Sequence, residues 1–233
     1  MLPRELTLNW GIAMALTVNK SIQDRMPEAD LAAWREIPCA IISDELNRTG
    51  TMLAAIKPLV PGTTFAAQAL TAQVMVGDNA PLHHGVLEAW PGCAIAVDAR
   101  GHLDTAVWGG VLTYMARARG VAAVIVDGAI RDVAELRESG IAVYYRGAVP
   151  NGPHKGFGGA VNVPIQCGGA SVDPGDLLVG DDDGVVVVRP DQLDGLIDRC
   201  RTRIAHEEEV LKQIDAGKST VEITGIPPID QIG

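Results

Sequence analysis

Residues 124–135 read Val-Ile-Val-Asp-Gly-Ala-Ile-Arg-Asp-Val-Ala-Glu, and this stretch decides the predicted fold. Its apolar first half predicts a buried strand over 121–127, because short apolar runs bounded by turn residues are typical of strands covered on both faces. Its second half predicts a helix over 132–139, directly after a turn. A buried strand that leads into a helix is the building unit of α/β domains.

Similar apolar runs, separated by Gly, Pro and Asp, predict further strands in the same part of the chain. They lie at 72–76, 94–98, 142–145, 161–165 and 185–188. Helices are predicted between some of the strands, at 81–89 and 111–118. Elsewhere strand follows strand through tight turns, as at 98–101 and 181–184. Such mixed connections predict an α/β domain with mixed sheets, not a regular βαβ winding.

Helices are also predicted at both ends of this strand region. Two short ones, over 31–37 and 40–47, precede it, and a long one over 190–217 follows it. Apolar residues at near-helical spacing mark the long helix at Leu193, Leu196, Ile197, Ile204 and Leu211. This stripe could pack on its own domain or at a subunit contact. We expect one domain over 1–233, with residues 1–20 as a flexible extension and Met14 as an alternative start.

The composition excludes several classes of function. Of 233 residues, 47% are apolar and 21% charged, which is ordinary for a soluble globular protein. The net charge of −10 argues against nucleic acid as a partner, because phosphate binding needs a basic face. A small anionic substrate needs only one local cluster of cations. No apolar stretch reaches the ~20 residues of a membrane span. The scattered cysteines (Cys39, Cys93, Cys167, Cys200) predict reduced thiols and a cytoplasmic location.

Several short motifs do not meet the requirements of known sites. Residues 216–219 resemble the end of a phosphate-binding loop, but Lys212 stands where its first Gly is required. Residues 156–159 lack the third Gly of a dinucleotide fingerprint, and we expect a mobile loop there. His83 and His84 would point about 100° apart on a helix, so we interpret them as surface or helix-start residues. No lysine lies in a predicted strand, which argues against a Schiff-base lysine.

Two segments carry groups suited to anion and cation binding. Residues 108–113, Trp-Gly-Gly-Val-Leu-Thr, predict a strand end followed by a helix start, where free N–H groups bind carboxylate or phosphate. Arg131 and Asp132 open the next helix. The guanidinium can hold a carboxylate through two hydrogen bonds, and the carboxylate can hold a hard cation such as Mg²⁺.

A purely structural interpretation of Asp132 is also open. With Glu135 three residues on, Asp132 matches an acidic variant of the helix capping box, and Arg131 could be a surface ion-pair partner. Spacing alone does not separate the two interpretations. The Gly-Gly helix start, which ends 21 residues before Arg131, favours a functional site.

This pattern resembles the signature of one branch of the RraA-like family: Gly110, then 20 residues, Arg131-Asp132, two more residues and Glu135. The family includes the 4-hydroxy-4-methyl-2-oxoglutarate/4-carboxy-4-hydroxy-2-oxoadipate aldolases and the regulator of ribonuclease E activity. The resemblance extends from about Ala40 to Gly217. It includes residues 77–79, 126–132, 161–164, 167–169, 174–176 and 181–188.

The resemblance implies a swivelling β/β/α-type domain, assembled as a homotrimer or homohexamer with active sites at subunit contacts. It implies a metal-dependent pyruvate aldolase that cleaves 4-hydroxy-4-substituted 2-oxo diacids and also decarboxylates oxaloacetate. Two alternatives stay open. One is a regulator that binds and inhibits ribonuclease E, and the other is a lyase acting on a different 2-oxo acid.

The resemblance also implies roles for individual residues. Arg131 would bind the pyruvyl carboxylate or enolate, and Asp132 would be the direct ligand of Mg²⁺ or Mn²⁺. The backbone of Gly110, Val111, Leu112 and Thr113 would hold the substrate carboxylate. The best-known aldolases of the family have an Asp where Gly110 stands, so Glu135 could replace that carboxylate and orient the water that acts as base. Glu207, Glu208 or Glu209 of a neighbouring subunit could also reach the metal.

Overall fold

The structure, a computed structural model, describes residues 15–227, so most of the expected N-terminal extension lies outside the described residues. The described part of that extension contains strand β1 (Leu16–Val18), which runs parallel to β8 (Gly159–Val161). Residues 16–18 are therefore part of the sheet and not a flexible segment.

Four parallel strands form the centre of the main sheet. They are β3 (Phe65–Val74), β4 (Ala94–Asp98), β6 (Ala123–Ile130) and β7 (Ala142–Ala148), in that order. Every residue of β6 is buried, because helices and further strands cover both faces of the sheet. The continuous apolar run that decides the sequence prediction is thus the central strand of a parallel group.

Shorter strands extend this centre and make the sheet mixed. They are β2 (Lys57–Pro58), β5 (Ala106–Trp108), β8, β11 (Leu177–Asp181) and β12 (Gly184–Val188). Strand β8 pairs antiparallel with the end of β3, and β11 with its beginning. Strands β9 (Ile165–Cys167) and β10 (Ala170–Val172) form a separate antiparallel pair.

Helices pack around the sheet in three groups. Those of the described residues are α1 (Glu28–Arg35), α2 (Cys39–Glu45), α3 (Ala80–Glu88), α4 (Gly110–Ala118), α5 (Val133–Arg137), α6 (Leu196–Asp215) and α7 (Thr220–Thr224). Helices α3 and α4 cover one face of the parallel strands, and β9 and β10 cover the other. Helices α1, α2 and the start of α6 pack on β11 and β12.

The predicted fold class is confirmed: a mixed α/β domain with N-terminal helices and a long C-terminal helix. Three predicted elements differ most in their bounds. The strand expected over 72–76 is the last part of β3, which starts at Phe65 and ends at Val74. The strand expected over 161–165 is two strands, because Asn162 has φ = +55° and turns the chain between β8 and β9. The C-terminal helix starts at Leu196, since residues 190–192 form a separate 3₁₀ turn and Gly195 has φ = +64°.

The apolar stripe of α6 packs on its own domain at its beginning. Leu196 is buried, whereas Leu211 is 60% exposed near the other end of the helix. No helix among residues 15–227 is both long and apolar enough to cross a membrane.

Candidate active site

The two segments singled out in the sequence meet where strands β5 and β6 end. Strand β6 extends beyond β4, and its last residues pair with β5 through Ala106 to Ala129 and Trp108 to Ile130. The Arg131 amide donates to the Trp108 carbonyl at 2.9 Å. The carboxyl ends of both strands therefore lie side by side, and the carboxyl ends of strands are the usual place for ligand sites in α/β proteins.

Asp132 does not cap the helix that follows it. Its φ of +58° is left-handed, a conformation that costs a non-glycine residue roughly 1–2 kcal/mol, and its side chain makes no capping bond to α5. Instead Asp132 Oδ2 accepts a hydrogen bond from the Gly110 amide at 2.9 Å. The capping-box interpretation is thus wrong, and the strained backbone aims the carboxylate at the start of α4.

Arg131 lies beside this carboxylate. Its Nε is 3.5 Å from Asp132 Oδ2, and its side chain is 40% exposed. The guanidinium group also lies against Gly152, where a Cβ atom would overlap Arg131 Nη1. A loop glycine thus makes room for Arg131, which keeps a solvent-facing group for a ligand.

Glu135 occupies the space that a side chain at position 110 would take. A Cβ built on Gly110 would overlap Glu135 Oε2 and would lie 3.6 Å from Asp132 Oδ2. The carboxylates of Asp132 and Glu135 therefore both reach the backbone of Gly110. The role of Glu135 in place of an aspartate at position 110 stays a prediction, and its carboxylate lies where a side chain at that position would point.

The start of α4 offers fewer free amides than the sequence suggested. The Gly110 amide already donates to Asp132, and the Thr113 amide donates to the Gly109 carbonyl at 3.0 Å. Val111 and Leu112 lie in the first helical turn, where amides have no partner within the helix, and no described side chain caps them. Of the four residues whose backbone is expected to bind an anion, only Val111 and Leu112 therefore keep amides without a partner among the described residues.

Three cavities within residues 15–227 adjoin the site, and one of them, of about 250 Å³, is lined by Arg131, Asp132, Val133, Ala148, Val149 and Pro150. A small one of about 120 Å³ is lined by Asn79, His83, Val107, Trp108, Gly109, Val111, Leu112, Arg131, Asp132, Pro153 and Lys155. A wider groove of about 520 Å³ is lined by Gly110, Thr113, Tyr114, Arg117, Ala134, Glu135, Glu138 and Ser139. The small cavity holds the Arg-Asp pair and lies far below the ~300–1,000 Å³ of sites for drug-sized ligands. It suits a small metabolite.

Three polar residues of the small cavity, Asn79, His83 and Lys155, were not predicted as site residues. Asn79 Nδ2 donates to the Val107 carbonyl at 3.1 Å, which leaves its buried Oδ1 without a partner among the described residues. His83 Nε2 is likewise buried and unpaired there. Burial lowers the pKa of His83, and the nearby charges of Lys155 and His84 lower it further. His83 is the fourth residue of α3, close to the expected helix start, and it also lines the cavity.

The chemistry of the carboxylates fits a hard divalent cation. No group of three or more His, Cys, Asp or Glu residues within 15–227 could hold a metal on protein ligands alone. Mg²⁺ does not need such a group, since it is commonly held by one or two carboxylates together with waters and substrate oxygens. Asp132, 37% exposed at the cavity, would be that ligand, with Glu135 close to it.

The acidic residues expected to act from a neighbouring subunit lie on α6. Glu207, Glu208 and Glu209 are all exposed. Within the chain, Glu207 lies 3.4 Å from Arg203 and Glu209 lies 3.5 Å from Lys212. Both pairs join exposed or half-exposed side chains, and such surface pairs contribute little to stability.

Comparison with known proteins identifies the family. The sequence model of the RraA-like family, described as Aldolase/RraA, matches residues 39–187. The chain belongs to the RraA-like family. A relative from Halalkalibacterium halodurans is 36% identical over 76% of this chain and 85% of its own length, and it is named provisionally as a 4-hydroxy-4-methyl-2-oxoglutarate aldolase.

Two further comparisons cover both functional classes of this RraA-like family. A Thermus thermophilus protein named 4-hydroxy-4-methyl-2-oxoglutarate aldolase is 38% identical over 53% of this chain and 75% of its own. Streptomyces coelicolor RraAS2, described as an unusual member of the RNase ES inhibitor RraA family, superposes with a TM-score of 0.73 at 28% identity. That superposition covers 81% of this chain and all of the other. The aldolase names support a carbon–carbon lyase.

Proposed function

We propose that this protein is a divalent-metal-dependent pyruvate aldolase. It would cleave 4-hydroxy-4-substituted 2-oxo diacids to pyruvate and a second oxo acid, and it would also decarboxylate oxaloacetate. The observation that carries this proposal is the meeting of Arg131, Asp132 and Glu135 at the backbone of Gly109 and Gly110, beside a small cavity. The names of two relatives support the same reaction class.

Each group has a task in retro-aldol cleavage. The reaction removes the proton of the C4 hydroxyl, breaks the C3–C4 bond and leaves negative charge on the C2 oxygen, where the Arg131 guanidinium stabilises the enolate until C3 takes a proton from water to give pyruvate. The free amides of Val111 and Leu112 hold the C1 carboxylate. Glu135 orients the water that takes the hydroxyl proton. Mg²⁺ or Mn²⁺ held by Asp132 would supply Lewis-acid polarisation of the 2-oxo acid.

Decarboxylation of oxaloacetate fits the same groups. It forms the same pyruvate enolate but needs no base, since the carboxylate that leaves as carbon dioxide is already deprotonated, whereas the aldol substrate must first lose its C4 hydroxyl proton. The reaction therefore depends on Arg131 and Asp132 and less on Glu135. We expect the decarboxylase activity to survive changes at Glu135 that abolish aldol cleavage.

The proposal is tested by measuring pyruvate release from 4-hydroxy-4-methyl-2-oxoglutarate and from oxaloacetate in Mg²⁺ or Mn²⁺. We expect both activities to disappear in excess EDTA and to return when metal is restored. Full activity in excess chelator would reject the metal role. Absence of pyruvate from both substrates in the presence of metal would reject the aldolase assignment.

The site would be completed in a homotrimer or homohexamer. Val111 and Tyr114, next to the cavities, are 78% and 71% exposed, which is unusual for large apolar side chains. A neighbouring copy that covers them would bring acidic residues of its α6, such as Glu207 or Glu208, towards the metal. Light scattering of the native protein tests this assembly, and a monomeric active enzyme would contradict it.

A second candidate function is binding to ribonuclease E, which is favoured by the superposition on RraAS2. The net charge of −10 would suit a basic, Arg-rich partner segment. A pull-down against ribonuclease E, run beside the decarboxylase assay, separates the two functions. Binding and inhibition without pyruvate formation would favour the regulator.

A further inference from the structure

The small cavity has a polar wall that the proposed mechanism does not use. We call it the α3 wall and define it by Asn79, His83 and Lys155. Asn79 precedes α3 directly and His83 lies in its first turns, whereas Lys155 comes from the loop after β7. The Arg131 and Asp132 groups come from other elements, so the cavity joins two separate sets of polar side chains.

Two atoms of this wall lack partners where a partner is expected. Asn79 is 6% exposed and its Oδ1 accepts no hydrogen bond within the described residues, and the same holds for His83 Nε2. An unsatisfied buried polar atom costs about 1–3 kcal/mol, so such atoms call for a ligand or an ordered water. Because both atoms belong to residues that line one cavity, a single ligand could pair with both.

The amide of Asn79 has a fixed orientation. Its Nδ2 donates to the Val107 carbonyl, so the free atom is the acceptor oxygen. This acceptor suits a hydroxyl donor on the ligand and would repel a carboxylate. His83 is mainly neutral near pH 7, since burial and Lys155 lower its pKa from an ordinary value of 6.5. Neither group supplies charge for an anion, and in this wall that task falls on Lys155.

The backbone around Lys155 is firmly held. The His154 amide donates to the Gly77 carbonyl at 2.8 Å, and the Asn79 amide donates to the His154 carbonyl at 3.1 Å. The Gly156 and Phe157 amides both donate to Oδ2 of the fully buried Asp78. The residues on both sides of Lys155 are therefore tied to the segment that starts α3, which fixes the backbone of Lys155 beside the cavity that this residue lines.

From this arrangement we infer that the α3 wall binds the second carboxylate end of a 2-oxo diacid. Lys155 pairs with the carboxylate. Asn79 Oδ1 accepts a hydrogen bond from the hydroxyl group beside it, and His83 Nε2 forms a second hydrogen bond with that hydroxyl. This inference rests on the proposed function for the placement of the 2-oxo end at Arg131 and Asp132. It deepens that function, because it makes Lys155 the residue that selects diacids over monoacids of equal chain length.

The test uses two ligands that the proposed reaction cannot cleave. Calorimetric titration in Mg²⁺ compares 2-oxoglutarate with 2-oxopentanoate, which has the same chain length but a single carboxylate. We expect the wild-type protein to bind the diacid at least about tenfold more tightly, and Lys155→Met to lose that preference while it keeps its affinity for the monoacid. Lys20→Met, at an exposed lysine outside the cavity, is the matched control and should keep the preference.

The hydroxyl contact has its own comparison. His83→Gln should raise KM for 4-hydroxy-4-methyl-2-oxoglutarate about tenfold and change KM for oxaloacetate, which lacks that hydroxyl, by less than about threefold. The exposed neighbour His84→Gln serves as control and should change neither.

The outcomes separate this inference from the proposed function. Equal affinity of the wild-type protein for both acids, or an unchanged preference in Lys155→Met, overturns the inference even if pyruvate is released from the aldol substrate. A preference that depends on Lys155 supports the inference even if no pyruvate is released, in which case the aldolase proposal alone fails.

Discussion

At the scale of single residues, Arg131 and Asp132 carry the proposed chemistry. Asp132 holds a left-handed backbone conformation, and its carboxylate bonds to the start of another helix and not to its own. Strained residues of this kind persist where the surrounding structure fixes them, and they are concentrated at functional sites. Arg131 contacts a loop glycine and keeps an exposed guanidinium group.

Substitution of either residue should remove most of the activity. We expect Arg131→Ala and Asp132→Ala each to lower kcat/KM for oxaloacetate decarboxylation by at least ~100-fold, which is about 2.7 kcal/mol of transition-state stabilisation. Arg137→Ala, at an exposed arginine at the end of α5, is the control and should retain wild-type rates. Wild-type rates in Arg131→Ala or Asp132→Ala would end the assignment of that residue.

Gly110 and Glu135 should act as one coupled pair. A methyl group at position 110 would displace the flexible end of Glu135, while alanine in a helix is about 1 kcal/mol more favourable than glycine. We therefore expect Gly110→Ala to keep or raise stability but to lower aldol kcat/KM about tenfold. In a Glu135→Ala background the same change should have little further effect. Additive losses of activity in this double-mutant cycle would show that the two positions act independently.

The sequence indicated part of this site but not all of it. Arg131, Asp132 and Glu135 lie in one short segment, so their spacing already suggested a site. The helix-capping alternative could be rejected only from the backbone angles and the bond to Gly110. Asn79 and Lys155 lie far apart in the chain, and the fold alone brings them to one cavity. In the sequence, only the family resemblance at Gly77-Asp78-Asn79 pointed to this part of the cavity.

At the scale of elements, the site depends on where strands end. Strand β6 was predictable because its apolar run is long and unbroken. Strand β5 has only three residues, which is too short to show a periodic pattern. Strand β11 was not predicted because its last two residues, a glycine and an aspartate, are typical of turns. The join between β5 and β6, which brings Gly109 to Arg131, could therefore not be predicted from local patterns.

Asp78 fixes the loop after β7 to the start of α3. Its carboxylate is fully buried and accepts bonds from the amides of Ala80 at 2.8 Å, Phe157 at 2.9 Å and Gly156. We expect Asp78→Ala to lower the free energy of unfolding by at least about 2 kcal/mol, because three amides lose their acceptor. Urea denaturation measures this change. Asp104→Ala, at an exposed aspartate, should stay within about 0.5 kcal/mol, and an equal effect of both changes would contradict the role of Asp78.

At the scale of the whole molecule, an acidic protein concentrates cations at one cavity. The net charge is −10, yet Arg131 and Lys155 both line the cavity that also holds Asp132. This local excess of positive charge would favour an anionic substrate despite the negative net charge of the molecule. The net charge argued against nucleic acid as a partner, which stays a prediction, and it could not locate the cavity.

The cysteines should be unreactive in the folded protein. Burial raises the pKa of Cys93 and Cys200 to about 11, and it raises the pKa of Cys39 and Cys167 further. Since the thiolate is the reactive form, we expect almost no labelling by a thiol reagent at pH 8 and rapid labelling of four thiols after denaturation. Fast labelling of the native protein would show that a thiol is accessible and ionised.

The central claim is that Arg131 and Asp132 form one binding site for a 2-oxo acid and a divalent cation. Calorimetric titration with oxalate, a planar unreactive analogue of the pyruvate enolate, tests this claim most directly. We predict binding to the wild-type protein in Mg²⁺, no binding after chelation by EDTA, and a loss of at least about 100-fold in affinity in Asp132→Ala and in Arg131→Ala. Oxalate binding that is unchanged by EDTA and by both substitutions would contradict the claim.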